Sequence, residues 1–146
     1  MPYVVLDTNI VLAYVRDHQP VIQLFEAAYP PQHFDYVINV VTRAEMYVLA
    51  RCNNWGPVKL ASMDALLNSY LQVRVDSEPL FNAYARIDEF GRKSPNPLRK
   101  TTARLMGKND LWIAATASIY EAALATTDKD FDHLESHFFP LTNLCP

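Results

Sequence analysis

Cysteine is scarce in this chain: Cys52 and Cys145 are the only two, enough for one disulfide at most. A lone pair in 146 residues is no disulfide framework, and a reducing compartment suits it as well as any. No segment approaches the unbroken apolar length of a membrane span. A basic leader is missing as well, and Asp7 interrupts the first apolar run, so no signal peptide is expected. The expected location is therefore cytoplasmic, with no membrane partner. Net charge is only −3, which gives no global attraction to polyanions, so any such attraction must be local. Cys/His spacing of the zinc-binding kind is missing too, as are internal repeats and any linker that would divide the chain.

What is present is enough for a core. Half the residues are hydrophobic and 12% are aromatic, as in a globular protein, and the length fits a single domain over residues 1–146. Tyr3 to Leu6 is a short continuous apolar run, the pattern of a strand buried on both faces of a parallel sheet. Helical spacing follows from Asn9 to Arg16. A second helix is predicted from Pro20 to Ala28, with Pro20 in its first turn and Pro30 and Pro31 ending it. Tyr36 to Val40 reads as the second strand. Thr42 is the expected N-cap of a helix reaching about Cys52, where Asn53, Asn54, Trp55 and Gly56 stop it.

Further along, a helix is predicted from Val58 to Leu71, a short strand from Val73 to Val75, and a helix from Pro79 to Phe90 that Gly91 terminates. Residues 92–108 hold two prolines and no apolar period, which reads as a loop. A helix from Asp110 to Tyr120 and a strand from Ala123 to Thr126 follow. Phe138 to Leu141 is expected as a last, edge strand, since Pro140 lacks a donor. Alternating strands and helices predict an α/β fold whose parallel sheet is covered on both faces. Ligands of such sheets bind beyond the carboxyl ends of the strands, and Asp7 and Asp128 lie just past two of those ends.

Four acids at element boundaries are the candidates for chemistry. Asp7 reads equally well as a helix N-cap. Glu45 has Val41, Val48 and Leu49 one helical turn away, so it projects beside apolar surface where an unpaired carboxylate is costly. Its nearest cation in sequence, Arg43, does not face it on a helix. Asp110 opens a helix, where the dipole favours negative charge, and the apolar Ile113, Ala114 and Ala117 lie beside it; a cap by Asp110 or Asn109 is the plainer alternative. Asp128 follows Thr126 and Thr127 at a strand end, and with Asp130 and Asp132 it forms either a site or a solvated acidic turn, the latter the better reading for Asp130 and Asp132. If the four converge, their repulsion needs relief by raised pKa values or by a cation, and oxygen ligands favour hard ions such as Mg²⁺.

A second feature is basic. Arg92, Lys93, Arg99, Lys100, Arg104 and Lys108 are six of the thirteen lysines and arginines, and no acid lies between Glu89 and Asp110. Such a run suits phosphate contacts to RNA, or an acidic partner peptide, or is simply a solvated loop. His133 and His137 stand one helical turn apart but read as a surface helix end, and Trp55 and Trp112 as core or interface.

With these motifs in view, the chain resembles the PIN-domain ribonucleases, in particular the VapC-type toxins of bacterial toxin–antitoxin pairs. Val-Val-Leu-Asp7-Thr8-Asn9 is similar to the family's opening strand and first acid. Glu45 in Thr-Arg-Ala-Glu45 is similar to its helical glutamate. Asn-Asp110-Leu-Trp-Ile-Ala-Ala-Thr-Ala resembles its third-acid helix, and Leu-Ala-Thr126-Thr-Asp128-Lys-Asp-Phe131 its final strand and fourth acid. The resemblance implies a three-layer α/β/α sandwich with a central parallel sheet. It implies a Mg²⁺- or Mn²⁺-dependent endoribonuclease, often a homodimer neutralised by a cognate antitoxin. On this reading Asp7, Glu45, Asp110 and Asp128 are the catalytic and metal-binding acids, and Thr8, Asn9 and Thr126 orient a ligand water. The alternatives are a non-catalytic PIN-like binding module acting through protein or RNA partners, and a receiver-type phosphoacceptor domain; the second leaves a helical Glu45 unexplained.

Overall fold

The structure is a computed structural model that describes residues 1–93, 106–135 and 137–145. Five strands, β1 (Tyr3–Leu6), β2 (Asp35–Asn39), β3 (Leu71–Val73), β4 (Ala123–Thr126) and β5 (Leu141–Asn143), form one sheet in the order β3-β2-β1-β4-β5. Every pairing is parallel. The described helices are α1 (Thr8–Val15), α2 (Gln19–Ala28), α3 (Val40–Cys52), α4 (Pro57–Ser69), α5 (Glu78–Lys93) and α6 (Lys108–Ile119), with a 3₁₀ turn at Lys129–Leu134.

The alternation of side chains along a strand divides these helices into two layers. Val4 and Leu6 of β1 and Ile38 of β2 enter a core with Ile10, Phe25, Met46 and Leu67 from α1 to α4. Val5, Val37 and Leu124 point the other way, against Leu80 and Ile87 of α5, Ile113 and Ala114 of α6, and Phe131 of the 3₁₀ turn. Val4, Val5 and Leu6 are all fully buried, which is why β1 reads as an unbroken apolar run. Each such side chain contributes about 1.5–3 kcal/mol by leaving water. The result is a three-layer α/β/α sandwich, as the resemblance implied.

Chain direction then places the site. From β1 the chain moves outward through β2 to β3, and it returns to lay β4 and β5 on the other side of β1. Strand order therefore reverses between β1 and β4, and the crevice at their carboxyl ends is where ligands of open α/β sheets bind. Asp7 and Asp128 follow those two strands.

Several boundaries differ from the sequence reading, each for a physical reason. Chain passes from β2 into α3 without a loop, so Asn39, not Thr42, is the N-cap; its Oδ1 accepts from the Val41 amide at 2.9 Å, while Thr42 is buried inside the first turn. Gly91 does not end α5. It is buried within a helix that continues to Lys93, at a helical cost of about 0.5–1 kcal/mol relative to alanine. The third strand lies at Leu71–Val73, before the expected Val73 to Val75, and the last at Leu141–Asn143, after the expected Phe138 to Leu141. That last strand is at the sheet edge as expected, and Pro140 just before it supplies a carbonyl acceptor to the Leu124 amide at 2.9 Å. Of the predicted loop, Arg92 and Lys93 belong to α5 and Lys108 opens α6; Arg99, Lys100 and Arg104 lie outside the described residues. Among the described residues, no helix is long and apolar enough to cross a membrane.

Candidate metal centre

Asp7 is fixed before any ligand arrives. Its amide donates to the Ala125 carbonyl at 3.0 Å, extending the β1–β4 ladder one residue past Leu6. The side chain N-caps α1, with Oδ1 accepting from the Thr8 amide at 2.7 Å. Its other oxygen, Oδ2, accepts from the Thr126 hydroxyl at 2.7 Å. Capping and participation in a site are thus not rivals here, because each carboxylate oxygen keeps a second lone pair.

The small polar residues around it tie the segments together. The Thr8 hydroxyl donates to Glu45 Oε1 at 2.8 Å, linking α1 to α3. Asn9 Oδ1 accepts from the Thr127 amide at 3.2 Å. Thr126 Oγ1, besides donating to Asp7, accepts from the Asp128 amide at 2.9 Å. Asp128 caps the 3₁₀ turn, its Oδ1 accepting from the Asp130 amide at 3.0 Å.

Glu45 is half-buried at the margin of α3. The buried face of that helix is Thr42, Met46 and Ala50; of the apolar neighbours expected beside Glu45, Val41 and Leu49 are half-buried and pack against the two cores, while Val48 is 59% exposed. What holds it is the Thr8 hydroxyl. Asp110 lies in the first turn of α6, whose N-cap is Gly107 and neither Asp110 nor Asn109. Asp110 lines a cleft of about 330 Å³ together with Glu45, Gly107, Lys108 and Asn109. A larger cavity of about 580 Å³ sits between α3 and α4, but Tyr47, Trp55 and Met63 line it and none of the four acids does.

Proximity is visible in the electrostatics. The Asp110 carboxyl is pushed from 3.8 up to about 7, by burial first and then by the charges of Asp7, Asp128, Glu45 and Asp130. Asp7 is pushed up to about 6, again by burial first; hydrogen bonds from Thr126 and Thr8 oppose the rise, and Glu45 and Asp128 add to it. Four acids spread from residue 7 to residue 128 thus act on one another. Carboxylate oxygens of Asp110, Asp128 and Asp130 also lie within 4.8 Å of one another. Asp130 is exposed on its turn, as expected of a solvated residue, yet its carboxylate also comes close to those of Asp110 and Asp128.

The basic residues divide. Arg92 pairs with Asp88 at 3.0 Å and Lys93 pairs with Glu89, both one turn back on α5. Lys108 instead lines the cleft that holds Glu45 and Asp110. His133 and His137 both pack against the Phe90 ring, centroids 6.5 and 4.7 Å apart, which suits a packing role.

A family model for the PIN domain matches residues 4–136. The fold is similar to VapBC2 from Rickettsia felis, solved bound to a DNA fragment from its promoter, with TM-score 0.73 and 18% identity over 97% of this chain and 98% of that one. VapBC-1 from nontypeable Haemophilus influenzae is similar with TM-score 0.72 and 21% identity over 99% of both chains. VapBC-5 from Mycobacterium tuberculosis, a member of the VapBC family of toxin–antitoxin systems, gives TM-score 0.60 and 24% identity over 97% of both chains. No curated protein matches the chain in sequence. Likeness to the solved structures is one of fold at these identities, but the family model spans nearly the whole length, and the chain belongs to the PIN domain family.

Proposed function

We propose that this protein is a metal-dependent endoribonuclease, the toxin of a VapC-type toxin–antitoxin pair. The observation that carries the reading is the gathering of Asp7, Glu45, Asp110 and Asp128 at the switch point of the sheet, where burial first and then the other acids' charges raise the Asp7 and Asp110 pKa values. A hard divalent cation, Mg²⁺ or Mn²⁺, fits this donor set: the ligand atoms are all carboxylate oxygens, and a positive charge relieves a repulsion otherwise relieved only by protonation. Bound there, such an ion supplies a water of lowered pKa and offsets charge on the phosphate oxygens.

The chain's own groups prepare that chemistry. Asp7, Glu45, Asp110 and Asp128 supply the ligand oxygens. Thr8, by donating to Glu45 Oε1, leaves Oε2 for a ligand, and Thr126 orients Asp7 by donating to its Oδ2. Asn9, by accepting from the Thr127 amide, holds the segment leading to Asp128 against α1. Lys108, on the first turn of α6 with its free amides, is the cation placed to meet a substrate phosphate. Arg92, Lys93, Arg99, Lys100 and Arg104 extend the RNA contact in this reading, with Arg92 and Lys93 already part-neutralised by their helical partners.

A cognate antitoxin is the expected protein partner, in keeping with the VapBC complexes that share the fold. Exposed Tyr47, Val48 and Val58 on α3 and α4 favour protein contacts, with the antitoxin or within a homodimer. The reading places the protein in the cytoplasm.

Product analysis tests the mechanism. Purified protein is incubated with total RNA and Mn²⁺, and the new ends are mapped. Attack by water leaves linear phosphate ends; 2′,3′-cyclic phosphate ends would show attack by the RNA's own 2′-hydroxyl and overturn the water mechanism.

A further inference from the structure

Glu45 and Asp110 belong to helices on opposite faces of the sheet, and a fully buried polar pair joins those helices. Asn39 is the last residue of β2 and the N-cap of α3, the helix that carries Glu45. Thr116 lies in the middle of α6, the helix that carries Asp110. Both are 0% exposed, and Asn39 Nδ2 donates to Thr116 Oγ1 at 2.9 Å.

Orientation in this pair is fully determined. Asn39 Oδ1 is taken by the Val41 amide at 2.9 Å, so the amide nitrogen must face Thr116. The Thr116 hydroxyl donates to the Trp112 carbonyl at 2.8 Å, so its lone pairs must face Asn39. Neither group can rotate without leaving a buried donor or acceptor unpaired, at a cost larger than the bond itself contributes. The bond between the two side chains adds little net stability beyond the contacts each makes to the backbone. A satisfied buried network instead fixes one arrangement of the elements it joins.

Because β2 runs into α3 with no loop, the direction of α3 is set at Asn39, six residues before Glu45. Thr116 is likewise six residues beyond Asp110 on α6. We propose that the Asn39–Thr116 hydrogen bond is a clamp that fixes Glu45 relative to Asp110, making both residues positioning residues of the metal centre. The inference rests on the proposed metal centre and deepens it.

Three single variants separate the clamp from ordinary packing. Asn39→Ser keeps a helix cap for Val41 but cannot reach Thr116. Thr116→Val keeps the shape and removes the hydroxyl, while Thr116→Ser keeps the hydroxyl. Mn²⁺ affinity is measured by calorimetry well below the melting temperature of each variant, alongside thermal unfolding without metal. Loss of outer-shell support typically weakens metal binding 10–100-fold, so Asn39→Ser and Thr116→Val are each expected to lose about 10-fold. The double variant loses little more than either single change, and Thr116→Ser stays near the wild-type value. Unchanged Mn²⁺ affinity in Asn39→Ser and Thr116→Val, whatever happens to melting, overturns the clamp, as does a double variant whose losses multiply. Should Thr116→Val fail to fold, Asn39→Ser decides alone. A wild-type protein that binds no Mn²⁺ overturns the metal centre itself, and the clamp with it.

Discussion

Replacing Asp7 with Asn should make the metal-free protein more stable at neutral pH, the reverse of what most changes at a buried polar residue do. Asp7 is 5% exposed, and burial is the largest cause of the rise of its carboxyl from 3.8 to about 6. The folded state therefore holds the proton more tightly than the unfolded chain. Below about pH 3.8 this costs nothing; the penalty grows as pH rises toward about 6 and is complete above it. At about 1.4 kcal/mol per pH unit, the gap between the two values amounts to about 3 kcal/mol. Asn removes the charge and keeps an oxygen for the Thr8 amide, but its NH₂ takes the acceptor from the buried Thr126 hydroxyl, which costs about 1 kcal/mol and leaves a net gain of about 2 kcal/mol. Thermal unfolding in EDTA reads the difference. At about 3 °C per kcal/mol for a chain of this size, Asp7→Asn gains roughly 6 °C at pH 8 and almost nothing at pH 4. Saturating Mn²⁺ should stabilise the wild type and not the variant. Destabilisation at pH 8, or the same shift at both pH values, would refute the reasoning.

Asp110, pushed up to about 7, is largely protonated at pH 6 and must release that proton to bind a cation. Mn²⁺ affinity should therefore rise from pH 6 to 8.5 while proton release falls, as read by calorimetry in two buffers of different ionisation enthalpy; no release at pH 6 counts against it. Lys108→Gln should weaken RNA binding and lower the log–log salt slope by about 1, since it removes one phosphate contact; an unchanged slope means that Lys108 meets no phosphate. Glu121, exposed just after α6, sits at φ 49°, a left-handed conformation costing a non-glycine residue roughly 1 kcal/mol. Glu121→Gly should raise stability by up to about that amount in denaturant unfolding, and a loss would show that its side chain matters.

Much of the fold was legible because β1 and β4 change abruptly from buried apolar residues to Asp or Thr, and their bounds match the expected ones. Where the reading slipped, local signals had been overridden by packing. Gly91 looked like a stop but is packed inside α5, and Thr42 looked like a cap but is buried behind Asn39. Glu45 does lie beside the half-buried Val41 and Leu49, but the contact that holds it, from Thr8, joins residues 37 apart and leaves no trace in periodicity. Asp130 is exposed on its turn as expected, but its approach to Asp110 and Asp128 depends on the 3₁₀ turn and is not visible in sequence. The clamp was invisible for the same reason, since Asn39 and Thr116 are 77 residues apart.

Cleavage of end-labelled RNA by the purified protein, with Mn²⁺ or with EDTA and with Asp110→Asn alongside, tests the central claim most directly. The account predicts cleavage by the wild type that needs Mn²⁺ or Mg²⁺, vanishes in EDTA, and falls by at least roughly 100-fold in Asp110→Asn, equivalent to about 2.7 kcal/mol of transition-state stabilisation. Cleavage that persists in EDTA, or that survives Asp110→Asn unchanged, would contradict it.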